Sequence, residues 1–342
     1  VTASATTRNI RSLMRKVSRD RKLNILTFAT HERYEENLCK TGHEFYSLRV
    51  GKEWDTSYAA VPDNYHIIDH IPEYVDIDII LSHTSCQRLQ IAHDLLSSTR
   101  NANGNKLTIP IMRMAHTLPD IRFDVQQQIS AHQAINVDQD AFISDFNRNA
   151  WGYNANNAKV VEHGIDTNFW SPNADIPKNN TCLSVVNDWP NRDWCCGFKL
   201  WQETSQGLPV MVVGKCPGFS EPAQSTEHLR QIYQSSRVFY NTSLHSPVPT
   251  VLMEAMACGC AIVSTATCMI PDIIKNGENG FISNDPQELR KFLEILLKDE
   301  DLAIKMGQKA AETIQTKYSI LNFIDKWNEL LYSTIENYKE RQ

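Results

Sequence analysis

Two α/β domains in tandem are what this sequence predicts, from three observations. Short apolar runs of strand length alternate with stretches of helical length, the pattern of parallel sheets covered on both faces. The alternation breaks once, at "HGIDTNFWSPNADIPKNN" (163–180), a stretch rich in Asn, Asp and Pro that reads as a connection between domains. At 342 residues, the chain is also too long for one typical core and suits two.

Taken in order, residues 6–22 (TTRNIRSLMRKVSRDRK) hold seven basic residues and one acid, with Ile10, Leu13, Met14 and Val17 at helical spacing. This basic amphipathic helix either docks on the fold or touches a membrane surface or acidic partner. "KLNILTFA" (22–29) is a buried strand ending at the polar loop "THERYEENL". "DIDIILSH" (76–83), "IPIMRMAH" (109–116), "AFISD" (141–145) and "KVVEHGID" (159–166) are further strands. Helices are expected over 86–100, 122–132 and 145–151. After the connection come strands at 181–187, 208–214, 236–242, 260–265 and 280–283, with helices between, and from 286 the chain is mostly helical. Polar residues collect past the strand C-termini, the edge where open α/β sheets bind ligands.

Composition excludes several classes. The hydrophobic fraction of 42% and charged fraction of 22% are those of a globular protein, and a net charge of −6 argues against an electrostatic nucleic-acid binder. No run reaches the apolar length of a membrane-spanning helix, and no secretory signal is expected. The nine cysteines are scattered without Cys-x-x-Cys pairs, so free thiols and a cytoplasmic location are expected; Cys195-Cys196 lacks further ligands at metal spacing.

The most informative stretch is "SPVPTVLMEAMACGCAIVSTA" (246–266), a short helix and then a buried strand. Pro249 suits the first helical position and Gly259 the stop, giving a helix over roughly 249–258. Its first turn presents backbone N–H groups and the positive dipole end, an anion site. Glu254 is the one carboxylate in the apolar run, and a buried carboxylate needs donors. Either a ribose diol supplies two O–H groups, which places phosphates at the helix start, or an Arg or Lys forms an internal ion pair.

The stretch "PTVLMEAMACGCAIVSTATCMIPDIIKNGENGFI" resembles the C-terminal signature of retaining GT-B glycosyltransferases of the family 4 type, the glycosyl transferases group 1. Upstream, "AFISDFNRNAWGYNANNAKVVEHGIDTNFWSP" is similar to the segment that closes the family's N-terminal domain, and "LPVMVVG" to a strand that usually ends in Val-Gly. Residues 135–290 match in order; the first 130 match in strand pattern only. The resemblance implies an α/β GT-B fold, two Rossmann-like domains facing across a cleft. Residues 1–166 would form the acceptor domain, 167–319 the nucleotide-sugar-binding domain, and 320–342 a helix returning to the first.

It also implies site residues. The family's Glu-x7-Glu motif puts its second Glu, the ribose ligand, at Glu254. The first, which contacts the transferred sugar, falls on Ser246, a departure. Pro249 opens the helix, and the N–H groups of Thr250 and Val251 occupy places that face the donor. The family's Gly-Arg pair in the loop after the first strand of the second domain is replaced by Asn187-Asp188. Arg192 is the best substitute cation for the diphosphate, ahead of Lys199 and Lys215, with Gly214 ending the adjoining strand; the alternative for Arg192 is an ion pair with Asp188 or Asp193. His116 matches the family's histidine near the transferred sugar. Where the family often has a Gly-rich loop after its first strand, Thr30, His31 and Glu32 stand here, with Ser82 and His83 on the same rim. His163 is read as structural or peripheral, and Glu162 beside the turn is given no role.

The implied activity is retaining transfer from a nucleotide sugar, with the acceptor entering on the face the diphosphate leaves and the leaving phosphate taking its proton. UDP is the expected nucleotide; GDP and ADP are alternatives. No cofactor and no metal are expected, for the chain has no Asp-x-Asp arrangement of the kind the family would use for a metal, and GT-B enzymes generally need none. A nucleotide-sugar epimerase or hydrolase would need further carboxylates, and a non-catalytic nucleotide-sugar-binding protein is the reading that Ser246 and Asp188 favour. Acceptors left open are a saccharide, a lipid-linked saccharide, a protein or a modified DNA base. The helix at 6–22 is a candidate contact with the inner membrane face.

Overall fold

The computed structural model describes residues 19, 21–50, 52–83, 86–98 and 108–342. Apart from Arg19, Arg21 and Lys22, the basic helix expected over 6–22 lies outside the described residues. Those three pair with acids of the chain itself: Arg19 with Glu329 and Glu336, Arg21 with Asp78, Lys22 with Glu44.

The chain divides into two compact units, one running up to Glu162 and including Phe323–Gln342, the other His163–Asn322. The first unit contains strands β1 (Asn24–Thr27), β2 (Glu44–Leu48), β3 (Tyr65–Ile68), β4 (Ile79–His83), β5 (Ile111–Ala115), β6 (Gln139–Phe142) and β7 (Ala158–Val160). Helices α1 (Glu32–Cys39), α2 (Cys86–Ser98), α3 (Val125–Ala134) and α4 (Asp145–Ala150) connect them. All strands are parallel, in the order β3-β2-β1-β4-β5-β6-β7. The order reverses between β1 and β4, so their C-terminal ends flank a switch point, where such sheets bind ligands.

β4 and β5 are buried throughout, which their unbroken apolar character foretold. The sequence reading omitted β2 and β3. They lie toward one edge of the sheet, and their half-buried alternation around Glu44 and His66 hid them among polar residues.

In the second unit, β8 (Asn179–Val185) leads to a 3₁₀ turn (Pro190–Arg192), α5 (Asp193–Cys196), α6 (Phe198–Ser205) and β9 (Val210–Val213). Then come α7 (Thr226–Ser235), β10 (Ser236–Asn241), α8 (Thr250–Ala257), β11 (Ala261–Ser264), α9 (Ile270–Ile273) and β12 (Phe281–Ile282). Helices α10 (Pro286–Lys298) and α11 (Glu300–Lys317) close the unit. The parallel order β12-β11-β10-β8-β9 sets a second switch point between β8 and β10.

Two glycines fix tight turns in this unit. Gly259 (φ 76°) follows α8 and ends it with two tightening bonds, Cys260 N–H to Ala255 O at 3.0 Å and Gly259 N–H to Met256 O at 3.0 Å. Gly214 (φ 144°) follows β9, where an added Cβ would sit 2.0 Å from the Val186 carbonyl oxygen. α11 lies so close to the turn after α8 that a Cβ at Gly307 would meet Gly259 O at 2.2 Å.

The last helix, α12 (Ile320–Arg341), packs on the first unit. Trp327 is fully buried and its Nε1 donates to the Tyr34 hydroxyl at 3.1 Å. The Tyr332 hydroxyl donates to Arg21 O at 2.7 Å, and Arg341 reaches Asp138 at 2.9 Å.

Candidate functional site

Each unit has its own cluster at the C-terminal edge of its sheet. In the second unit, three loops meet there. The Leu244 and His245 N–H groups both donate to Cys195 O (2.8 and 3.1 Å), which ties the loop after β10 to α5. The Lys215 N–H donates to Asn187 Oδ1 at 2.8 Å and the Asp188 N–H to Lys215 O at 2.9 Å, which ties the turn after β8 to the end of β9. Asp188 holds φ at 50°, a left-handed conformation that Asp tolerates better than most residues. Asn187 and Asp188 thus build the turn itself, and Asp188 further accepts from Asn191 Nδ2 at 2.7 Å.

Arg192 is exposed, and its guanidinium donates to Asn187 O at 3.3 Å. Among the described residues it forms no ion pair, so the alternative of a pairing with Asp188 or Asp193 is overturned; Asp193 instead faces Lys199 at 3.6 Å. Lys215 is exposed and likewise has no acidic partner among the described residues. Two cations without anions therefore stand at the ends of β8 and β9.

α8 is uncapped. Pro249 is its N-cap in extended conformation (φ −76°, ψ 106°), one place earlier than the first helical position expected of it, and supplies no side-chain bond. The N–H groups of Thr250 and Val251 have no acceptor in the protein among the described residues. One turn on, Glu254 is 3% exposed, and its Oε2 accepts from the Tyr233 hydroxyl at 3.3 Å. Ser246, half-buried in the loop after β10, lies three residues ahead of that N-cap.

In the first unit, the loop after β1 is held from both sides. Glu35 is 1% exposed and accepts the N–H groups of Thr30 (2.6 Å) and His31 (3.1 Å) and the Tyr65 hydroxyl. Burial nonetheless raises its pKa. Arg88, from α2, donates to Ala29 O at 2.7 Å and to the Thr30 hydroxyl, and Lys52 donates to Thr30 O at 2.8 Å. Lys52 also pairs with Glu32 at 2.7 Å; burial pushes Glu32 up, but that pairing and backbone donors hold it below the usual carboxylate range. Sequence reasoning missed Glu35, Lys52 and Arg88, because charged residues in loops and helix faces usually read as solvated.

Behind this loop, against His31, sit two further histidines. His116 follows β5 and is 8% exposed, and its Nε2 lies 2.8 Å from His83 Nδ1. Its ring stands edge-on to His31 (5.0 Å between centroids) and Tyr34 (4.4 Å). Ser82 and His83, expected on the rim, are buried inside β4 at 0% and 1% exposure, because their strand is covered on both faces. Burial, with the nearby charges of His31 and Arg88, lowers the His83 pKa to about 3, so the ring is neutral. Burial likewise lowers His31. Glu162 is engaged by Lys326 at 2.6 Å.

Residues 221–313, which span α7 to α11, match the family model of the glycosyl transferases group 1. The match lies wholly within the second unit. Among curated proteins, the chain is similar to an uncharacterized glycosyltransferase of Haemophilus influenzae, 25% identical over 190 residues, 47% of this chain and 53% of that one. The chain thus spans about half the length of this relative. Among solved structures it is similar to sucrose-phosphate synthase of Thermosynechococcus elongatus (TM-score 0.70, 15% identity, 90% of this chain and 98% of that one). It is also similar to Anabaena HepE in complex with UDP (TM-score 0.70, 13% identity, 92% and 100%). The fold is GT-B, built from two parallel α/β sheets. Among the described residues, no helix is long and apolar enough to cross a membrane.

Proposed function

We propose that this protein is a retaining glycosyltransferase that moves a sugar from a nucleotide sugar, with UDP as the expected nucleotide, to a saccharide or lipid-linked acceptor. One observation carries the reading. A buried carboxylate, Glu254, stands one turn inside an uncapped helix start, on an edge where Arg192 and Lys215 have no anionic partner among the described residues. A nucleoside diphosphate answers all of these: ribose hydroxyls donate to Glu254, and the diphosphate meets the Thr250 and Val251 N–H groups and the two cations. The family model falls on the helix that bears Glu254, and a UDP complex is among the structures of similar fold.

In the reaction, the bond from the anomeric carbon to the phosphate oxygen breaks and the bond to the acceptor oxygen forms on the same face. The acceptor proton passes to the departing diphosphate, whose charge Arg192 and the α8 N–H groups stabilise. No separate protein base and no metal is required in this scheme. Residues 167–319 bind the donor, residues 1–166 the acceptor, and His116 hydrogen-bonds the transferred sugar. Ser246, shorter than the glutamate it replaces, leaves room or hydrogen-bonding need at the sugar, which sets sugar preference. We assign the protein to the cytoplasm, with residues 6–22 meeting the inner membrane face; binding to anionic vesicles that weakens in salt and disappears when residues 1–21 are deleted tests that assignment.

The deciding experiment is calorimetric titration with UDP, GDP, ADP and CDP, with Mg²⁺ and with EDTA. One nucleotide binding equally in both supports a metal-independent donor site. If none binds, the reading is overturned. Binding without turnover, with turnover appearing in Ser246→Glu, would mark a donor-binding protein that has lost transfer.

A further inference from the structure

The pair His83–His116 carries more than a contact, and its role in the reaction rests on the proposed placing of His116 at the transferred sugar. The two rings share one hydrogen bond, His83 Nδ1 to His116 Nε2 at 2.8 Å. The other nitrogen of His83, Nε2, is buried and has no hydrogen-bond partner. That orphan decides the direction of the bond. If His116 were the donor, whether neutral or charged, the one proton of a neutral His83 would sit on Nε2, as a buried N–H with no acceptor. Orphaned buried N–H groups are rarer in proteins than underused acceptors. If His83 donates, Nε2 is a bare acceptor, the less costly of the two orphans.

We infer that His83 is a positioning residue: its Nδ1–H donates to His116 Nε2 and so fixes His116 as a neutral ring protonated at Nδ1. The consequence is chemical. His116 Nε2 is occupied as an acceptor and cannot take a substrate proton. This agrees with a reaction in which the leaving phosphate, not a histidine, receives the proton. The device works because β4 and β5 are neighbours in register, His83 opposite Met114, which brings the end of one strand beside the residues just past the other. The second nitrogen of a histidine commonly sets the tautomer of the first in this way.

Two-bond ¹H–¹⁵N correlation spectra of protein labelled with ¹⁵N-histidine, recorded at pH 7.5, read the tautomers directly, with His83→Asn and His116→Gln used for assignment. Both rings in the Nδ1–H form is the expected result. An Nε2–H form of either ring, or a cationic His116, overturns the inference. Turnover of UDP-glucose supplies a second readout. His83→Phe should lower kcat about tenfold, the worth of about one hydrogen bond, and leave the donor KM unchanged. His83→Asn, whose amide N–H stands close to the place of Nδ1–H, should recover most of that loss. Equal loss in both variants removes the positioning role. If the unaltered protein neither binds nor turns over any nucleotide sugar, the glycosyltransferase reading fails, while the spectra still decide the tautomers.

Discussion

The two units use the same construction, a parallel sheet with one reversal of strand order, and treat the edge at that reversal in opposite ways. At the ends of β1 and β4, the polar groups satisfy one another: Glu35 takes the Thr30 and His31 N–H groups, Arg88 and Lys52 take the loop carbonyls, and His83 takes His116. At the ends of β8, β9 and β10, the groups left over among the described residues are donors: two exposed cations and the first N–H groups of α8. The difference teaches where an anion belongs. A surface with its donors already used gains little from a phosphate, whereas unmet N–H groups at a helix start and unpaired guanidinium and ammonium groups gain much. The first edge has its donors engaged; the second is where we propose that the diphosphate binds.

Four measurements break or sharpen this contrast. Gly214→Ala should have the largest effect, a loss of about 3 kcal/mol in chemical denaturation, since its Cβ would meet the Val186 carbonyl at a φ of 144°. Gly277→Ala, at a φ of 80° but with nothing within 4 Å, should lose only about 1 kcal/mol. Equal losses would mean that backbone conformation and not the close approach governs the β9 turn.

Next, Glu254→Ala should weaken UDP binding by about 1.5–3 kcal/mol through lost charge-assisted hydrogen bonds, read by calorimetry. Unchanged affinity would return Glu254 to a purely internal role with Tyr233. In the first unit, acid should act through buried histidines. His83 and His132 both have their pKa lowered to about 3, chiefly by burial, so the unfolded chain binds their protons first as pH falls. Their contribution is full above about pH 6.5 and is lost progressively down to about pH 3. At pH 5 each should have cost about 2 kcal/mol relative to pH 7, and His132→Phe should flatten the slope in urea melts. A slope unchanged by that substitution would show that carboxylates dominate. The smallest effect belongs to Arg192→Ala, about threefold on UDP with uridine unaffected, as befits an exposed cation. Equal loss for both ligands would remove Arg192 from the phosphate site.

Much of this was legible from the sequence, for reasons that differ by region. The strands most deeply buried announced themselves as apolar runs, because burial on both faces leaves no polar alternation. β2 and β3 did not, since a strand covered on one side mixes Phe45 with Glu44 and Ile67 with His66. The helix at 250–257 and Glu254 were readable because a lone carboxylate in an apolar run is costly wherever it folds. Arg192 was readable as a cation in the loop after β8, but that it pairs with neither Asp188 nor Asp193 among the described residues depended on how the turn coiled.

What the sequence alone determined was the local and repetitive part: two α/β units, the strand ends that carry polar residues, and a helix start built for an anion. What only the tertiary structure decided was pairing between distant segments. His83 buried against His116 and Asn187 bonded to Lys215 join residues 33 and 28 positions apart. No local pattern encodes such pairs, because which strands become neighbours is settled by the packing of the whole sheet and not by the preferences of either segment.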